Sequence, residues 1–249
     1  MPVYALKKIY WFLSGLFAFI TTLLTLFIVT PIYALIFKFG GKNKGPKAHR
    51  VSQLWARFSL WLALSRFYIY GKEKIDPKGT YVFISNHGSL MDIPVCTSSC
   101  SNFFKFLSKE SLTKVPLFGY IIKNLYITVR RESMRDRVEA MKKMQDAIKS
   151  GISVWLYPEG TRNQGNELLN PFQDGAFHLA IATQTPLAIL TVTGPSKILP
   201  PDGKFELIPG VIRVYWSDPI PTVGMTKADV PALREKAMAI MTEILEKHK

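Results

Sequence analysis

The sequence predicts an α/β fold, with a mixed, partly parallel sheet flanked by helices and an N-terminal hydrophobic helical membrane element. Three observations carry this expectation. From residue 71 onward, short apolar runs alternate with helix-length stretches. Residues 9–37 form a run of 29 without a charged side chain. The 249-residue chain has a formal net charge of +14, and no Asp or Glu precedes Glu73. That length suits one sizeable domain with an appendage. The chain therefore divides into N-terminal membrane-anchoring helices, 1–70, and an α/β domain, 71–249.

The apolar run comes first. As a helix it is about 43 Å long at ~1.5 Å per residue, longer than the ~30 Å core of a bilayer. It is too long for a cleavable signal peptide, and no small-x-small cleavage site follows. Pro31 lacks a backbone donor and disfavours a straight continuation. Residues 9–30 are long enough to cross alone; a bend at Thr30-Pro31 would instead return the chain to one leaflet. The sequence leaves both open. Lys7 and Lys8 precede the run, and a denser cluster from Lys38 to Arg50 follows, which favours a cytoplasmic C-terminal side. Residues 48–70 read as a second helix. Trp55, Phe58 and Trp61 with Arg57 and Arg66 suit the headgroup layer, or packing on the domain. Basic residues flanking long apolar runs point to membrane lipids as partners, and away from nucleic acid.

Strands are expected at 80–85, 103–107, 126–129, 152–156 and 187–193, and helices at 90–97, 117–123, 133–149 and 172–183. Residues 205–208 and 211–216 read as a hairpin around Pro209-Gly210, and 226–249 as a final amphipathic helix. Cys96 and Cys100 lie four apart on a helix and read as reduced core residues, without zinc spacing.

Two segments carry chemistry. Asn86-His87-Gly88-Ser89-Leu90-Met91-Asp92 follows the strand 80–85, where open α/β sheets place ligand sites. A carboxylate about one helical turn from an imidazole can fix its tautomer and leave the other nitrogen as a base. Tyr157-Pro158-Glu159-Gly160-Thr161-Arg162 follows the strand 152–156. There Arg162 can hold a phosphate in a bidentate fashion, and Glu159 can accept from a hydroxyl or hold the arginine. Arg130-Arg131 offers a second cationic point at a strand end. No third carboxylate or histidine accompanies Asp92 and Glu159, so no metal is expected.

These residues resemble the glycerolipid acyltransferases typified by lysophosphatidic acid acyltransferase (1-acylglycerol-3-phosphate O-acyltransferase). The resemblance covers roughly residues 71–220 and the N-terminal element. Residues 86–92 look like the family's first block, with His87 as base and Asp92 as its partner. Residues 105–110, then Val115-Pro116-Leu117-Phe118-Gly119 and Val129-Arg130-Arg131, resemble the second; Lys105 falls within it, and Arg131 takes the place of its phosphate-binding arginine. Residues 157–162 look like the third block, with Tyr157 where phenylalanine is usual. Thr185-Pro186-Leu187-Ala188-Ile189-Leu190 falls where the fourth belongs.

The resemblance implies acyl transfer from acyl-CoA or acyl-acyl carrier protein to the sn-2 hydroxyl of lysophosphatidic acid, without a further cofactor. It implies substrate contacts from Lys105, Arg131, Glu159, Gly160, Thr161 and Arg162. Backbone N–H groups at 88–90 are the expected oxyanion stabilisers. Arg130 replaces a usual acid, Ile189 a usual proline, and Gln173-Asp174 a commonly basic pair; the first either favours a more anionic acceptor or has no effect. The motif set and compact length suit a bacterial inner membrane enzyme with a cytoplasmic catalytic domain. Another lysolipid acceptor and a non-catalytic lipid-binding role remain alternatives. A serine hydrolase is disfavoured, because no Gly-x-Ser-x-Gly elbow occurs.

Overall fold

A computed structural model describes residues 2–130, 132–165, 167–200 and 206–248. The elements run α1 (Pro2–Phe39), α2 (Lys44–Leu62), β1 (Arg66–Tyr70), β2 (Val82–Ser85), α3 (Asp92–Ser99), β3 (Phe104–Lys109), α4 (Phe118–Leu125) and β4 (Ile127–Val129). They continue with α5 (Met134–Lys149), β5 (Ser153–Leu156), α6 (Gly175–Ala182), β6 (Leu187–Thr193), α7 (Pro195–Ile198), β7 (Val211–Trp216) and α8 (Val230–Lys247).

The seven strands among the described residues form one sheet in the order β1-β7-β6-β2-β5-β3-β4. Every pair is parallel except β6 with β7. Alternation along the strands divides the core between two faces. Val82, Ile84, Val154, Leu156, Leu187 and Ile189 meet α5, α6 and α8 on one side. Phe83, Trp155, Ala188 and Leu190 pack on the other, against α2 and α3. A third cluster joins α1, α2 and α4 through Leu26, Tyr33, Ala48, Ile121 and Leu125.

The mixed α/β architecture matches the expectation, with differences of detail. The second helix stops at Leu62 rather than reaching Tyr70. Arg66–Tyr70 instead forms edge strand β1 against β7, so the sheet begins inside the segment read as membrane-anchoring, 1–70. The hairpin around Pro209-Gly210 is absent. Val211–Trp216 pairs with β1 and β6, residues 206–210 are not a strand, and Phe205 lies outside the described residues. Pro31 does not break α1. One helix runs through it, and the chain reverses only at Gly40–Asn43. Packing explains the continuation: Tyr33 is buried with its hydroxyl 2.6 Å from Ser52 Oγ, and Trp55 Nε1 donates to Thr25 Oγ1 at 2.9 Å. Tyr4–Phe39 is long and apolar enough to cross a membrane, and little of it is buried.

His49 sits in α2 with only 2% of its surface exposed, edge-on to the rings of Phe103 and Phe104. Among the described residues no well-formed hydrogen bond reaches its ring nitrogens, although the Asn102 backbone lies close enough to oppose the effect of burial in part. Burial pushes its pKa down to about 4. An unfolded histidine titrates near 6.5. Above that pH both states are neutral, and the residue adds no pH dependence. Between about 6.5 and 4 only the unfolded chain takes up the proton, so native stability falls as pH falls, by about 3 kcal/mol at full extent. Unfolding in detergent at stepped pH should show this loss, and His49→Phe should remove that component.

Candidate functional site

The parallel strands β2, β5 and β6 all end on the same side of the sheet, and the loops leaving them build a cleft of about 410 Å³. Asn86, His87 and Gly88 enter from β2, Glu159 and Asn163 from the β5 loop, and Gly194, Ser196 and Lys197 from β6. Asn86 clamps the strand ends: its amide accepts from Val192 N–H at 2.8 Å and donates to Val192 C=O at 2.9 Å. Gly194 has φ +99°, and a Cβ there would lie 2.1 Å from Val211 O, so only glycine fits this turn.

Asp92 occupies the first turn of α3, where the helix dipole favours a carboxylate. Its Oδ2 accepts from His87 Nδ1, Gly88 N–H and Ser89 N–H, each at 2.8 Å. The carboxylate side chain is 3% exposed and the imidazole 16%. With Nδ1 donating to Asp92, Nε2 is left as the proton-accepting nitrogen. Tyr157 stacks on the imidazole with centroids 4.1 Å apart, and Phe106 stacks beyond Tyr157 at 6.1 Å. Burial pushes the Cys96 thiol beneath this stack up to about 12, which keeps it neutral.

Glu159 differs from its expected role. It is buried, and both oxygens accept backbone N–H groups: Oε1 from His87 at 2.6 Å and Oε2 from Asn170 at 2.8 Å. Asn163 N–H in turn donates to His87 C=O at 2.6 Å. The loop after β5 therefore grips the His87 main chain from both sides, instead of pairing Glu159 with Arg162. Burial raises the Glu159 pKa, opposed by those two donated hydrogen bonds. Gly160 makes the expected tight turn, with φ +73° and its N–H donating to Tyr157 C=O.

Thr161 is exposed and Arg162 half-buried; neither lines the cleft, and Arg162 makes no ion pair among the described residues. Arg131 lies outside the described residues. Lys105 is misplaced by the sequence reading. It lies near the start of β3, opposite Val154, which is itself opposite Val82. His87 is five residues beyond Val82, about 16 Å further along at ~3.3 Å per residue. Arg130 is engaged with Asp136 and Glu110 at the surface, so the suggested link to a more anionic acceptor loses its basis. The amides of Gly88 and Ser89 are committed to Asp92 and do not form an oxyanion hole. Ser89 is buried, with its hydroxyl on Leu199 C=O at 3.0 Å, and is no nucleophile.

Sequence reasoning missed two residues that line the cleft, Lys197 and His248. Gly194-Pro195 at the end of β6 was the available signal for the first; the second arrives only through the packing of α8, with its ring stacked on Tyr215 at 4.3 Å. A separate apolar cavity of about 340 Å³ lies between the N-terminal helices and α3, β3 and α4, lined by Trp55, Met91, Pro94, Phe106, Ile122 and Tyr126 among others. Phe106 belongs to both its wall and the stack behind His87.

The sequence profile of the family described as acyltransferase matches residues 66–193. A chloroplastic 1-acyl-sn-glycerol-3-phosphate acyltransferase of Brassica napus is 33% identical over 177 residues, covering 69% of this chain and 50% of that protein. The human 1-acyl-sn-glycerol-3-phosphate acyltransferase beta is 34% identical over 190 residues, covering 70% of this chain and 65% of that protein. The chain thus spans half to two thirds of the length of these relatives. The crystal structure of the 1-acyl-sn-glycerophosphate acyltransferase PlsC from Thermotoga maritima shares the fold, with a TM-score of 0.83 at 21% identity over 97% of both chains.

Proposed function

The chain belongs to the acyltransferase family, and from that premise we propose that it transfers an acyl group from a thioester to the sn-2 hydroxyl of lysophosphatidic acid, yielding phosphatidic acid in phospholipid biosynthesis. The donor is acyl-CoA or acyl-acyl carrier protein. The observation that carries this reading is the Asp92 Oδ2–His87 Nδ1 bond of 2.8 Å, which leaves Nε2 as the base at the cleft.

The steps follow from that geometry. An alcohol is a poor nucleophile near neutral pH. As its oxygen attacks the thioester carbonyl, His87 Nε2 takes the hydroxyl proton, and Asp92 stabilises the imidazolium. The tetrahedral intermediate collapses with loss of the thiolate, which recovers the proton from His87 to leave as free thiol. No covalent acyl-enzyme is needed. Lys197, in the cleft lining, supplies positive charge for the acceptor phosphate, and that anchoring sets the hydroxyl by proximity. The apolar cavity beside Phe106 takes the acyl chain. Large exposed side chains such as Leu6, Phe17, Phe27 and Ile28 cover α1, and Trp61 and Leu54 project from α2. Apolar surface of that extent suits lipid rather than water. We therefore place the protein on a membrane, in a bacterium the inner one, with the catalytic domain cytoplasmic.

The test is thiol release from acyl-CoA across lysophosphatidate, lysophosphatidylglycerol and lysophosphatidylcholine. Lysophosphatidate should give the highest kcat/KM. A stronger preference for another lysolipid would reassign the acceptor, and no release with any pair would sink the reaction. Lys197→Ala should raise the acceptor KM about 10-fold, the loss of one charge-assisted phosphate contact, with kcat little changed. Unchanged KM in this variant would overturn its phosphate role.

A further inference from the structure

A second cleft, of about 530 Å³, lies at the other end of the sheet from His87. Four lysines from three separate stretches of chain line it: Lys42 and Lys44 from the α1–α2 turn, Lys78 from the loop before β2, and Lys105 from the start of β3. No Asp or Glu is in the lining, and none of the four forms an ion pair among the described residues. Lys105 is half-buried, and desolvation holds its amine below the usual lysine range. A partly desolvated ammonium without a counter-ion is a group that an anion stabilises.

The rest of the wall agrees. The 19-residue α2 begins at this cleft with no acidic residue in its first turn and no side-chain cap from Asn43, so its positive end is also uncompensated. Two helices, α4 and α5, end here, and part of their C-terminal charge is taken up by backbone hydrogen bonds. Among their terminal carbonyls, Ile122 accepts from Tyr126 N–H, and Asp146, Ala147 and Ile148 accept from Ser150, Gly151 and Ile152 N–H groups. The Asn102 amide nitrogen is engaged with Asp76 and Gly79 carbonyls. Phe37 adds an apolar wall at the end of α1, whose outer residues Leu35 and Phe39 are exposed.

We propose that this cleft binds the phosphate of an anionic phospholipid headgroup, at a site separate from the His87 cleft. Convergent lysines hold the phosphate, and Phe37 with the outer face of α1 borders the lipid's apolar part. Occupation ties the α1–α2 turn to the sheet through one ligand. The site stands on its own residues and does not depend on the reaction assigned to His87.

Dioctanoylphosphatidylglycerol titrated into the full-length protein in a neutral detergent tests this, with dioctanoylphosphatidylcholine and inorganic phosphate in parallel. The anionic lipid should bind saturably, and Lys44→Glu/Lys78→Glu should weaken it at least tenfold. Lys142→Glu/Lys227→Glu makes the same change in net charge at exposed lysines outside the cleft and should bind as the wild type does. Thermal unfolding checks that each double variant is folded; if the first is not, Lys78→Ala replaces it, with a smaller loss expected. Equal weakening in both double variants, or equal binding of phosphatidylcholine, would overturn the site. Inorganic phosphate binding as tightly as the lipid would overturn the lipid assignment in favour of a soluble phosphate.

Discussion

His87→Ala is expected to lower acyl transfer by roughly 10²–10⁴-fold, the usual worth of a positioned general base. The side chain is mostly buried, but its main-chain contacts do the structural work: N–H to Glu159, C=O from Asn163. Alanine keeps both. Folding and membrane association should therefore survive, and the loss should fall on kcat rather than on acceptor KM. Steady-state kinetics at saturating donor, with a thermal unfolding curve of the same preparation, separate these outcomes. A rate near that of the wild type would remove the base assignment.

Asp92 is expected to show a two-part effect. One oxygen accepts three hydrogen bonds, two of them from the main chain of Gly88 and Ser89. Asp92→Ala strands those two amides, and each unsatisfied buried donor costs about 1–3 kcal/mol. A large drop in unfolding temperature should accompany loss of transfer. Asp92→Asn behaves differently. To satisfy the two amides, its amide oxygen must take the place of Oδ2, which also keeps His87 Nδ1 as a donor. The fold and the tautomer are then preserved, and only the negative charge facing the imidazolium is lost. Transfer should fall in this variant with little change in stability. Equal destabilisation by Asn and Ala would contradict the three-donor account.

Much of the fold was legible because β2, β5 and β6 are buried on both faces and read as apolar runs, as parallel central strands do. Edge strand β1 was not. Arg66–Tyr70 continues the aromatic and basic character of α2, and its partner β7 comes from the far end of the sequence. The His87–Asp92 pair was legible because both members sit within one strand–turn–helix unit. Lys105 was misassigned because nearness to a motif does not say which end of a strand a residue occupies. Glu159 was read as a substrate group because its true partners, the His87 and Asn170 amides, become neighbours only when two strand-end loops meet. Lys197 and His248 reach the cleft by the same kind of long-range packing.

The central claim is that His87 drives direct transfer from a thioester to a lysolipid hydroxyl. It is tested most directly by incubating purified protein with radiolabelled acyl-CoA and lysophosphatidate, and counting free thiol, phosphatidate and free fatty acid together. The account predicts one thiol per phosphatidate, no thiol release without acceptor, and both products lowered roughly 10²–10⁴-fold with His87→Ala. Thiol and free fatty acid appearing in equal amounts without acceptor, or phosphatidate formed at the wild-type rate by His87→Ala, would contradict it.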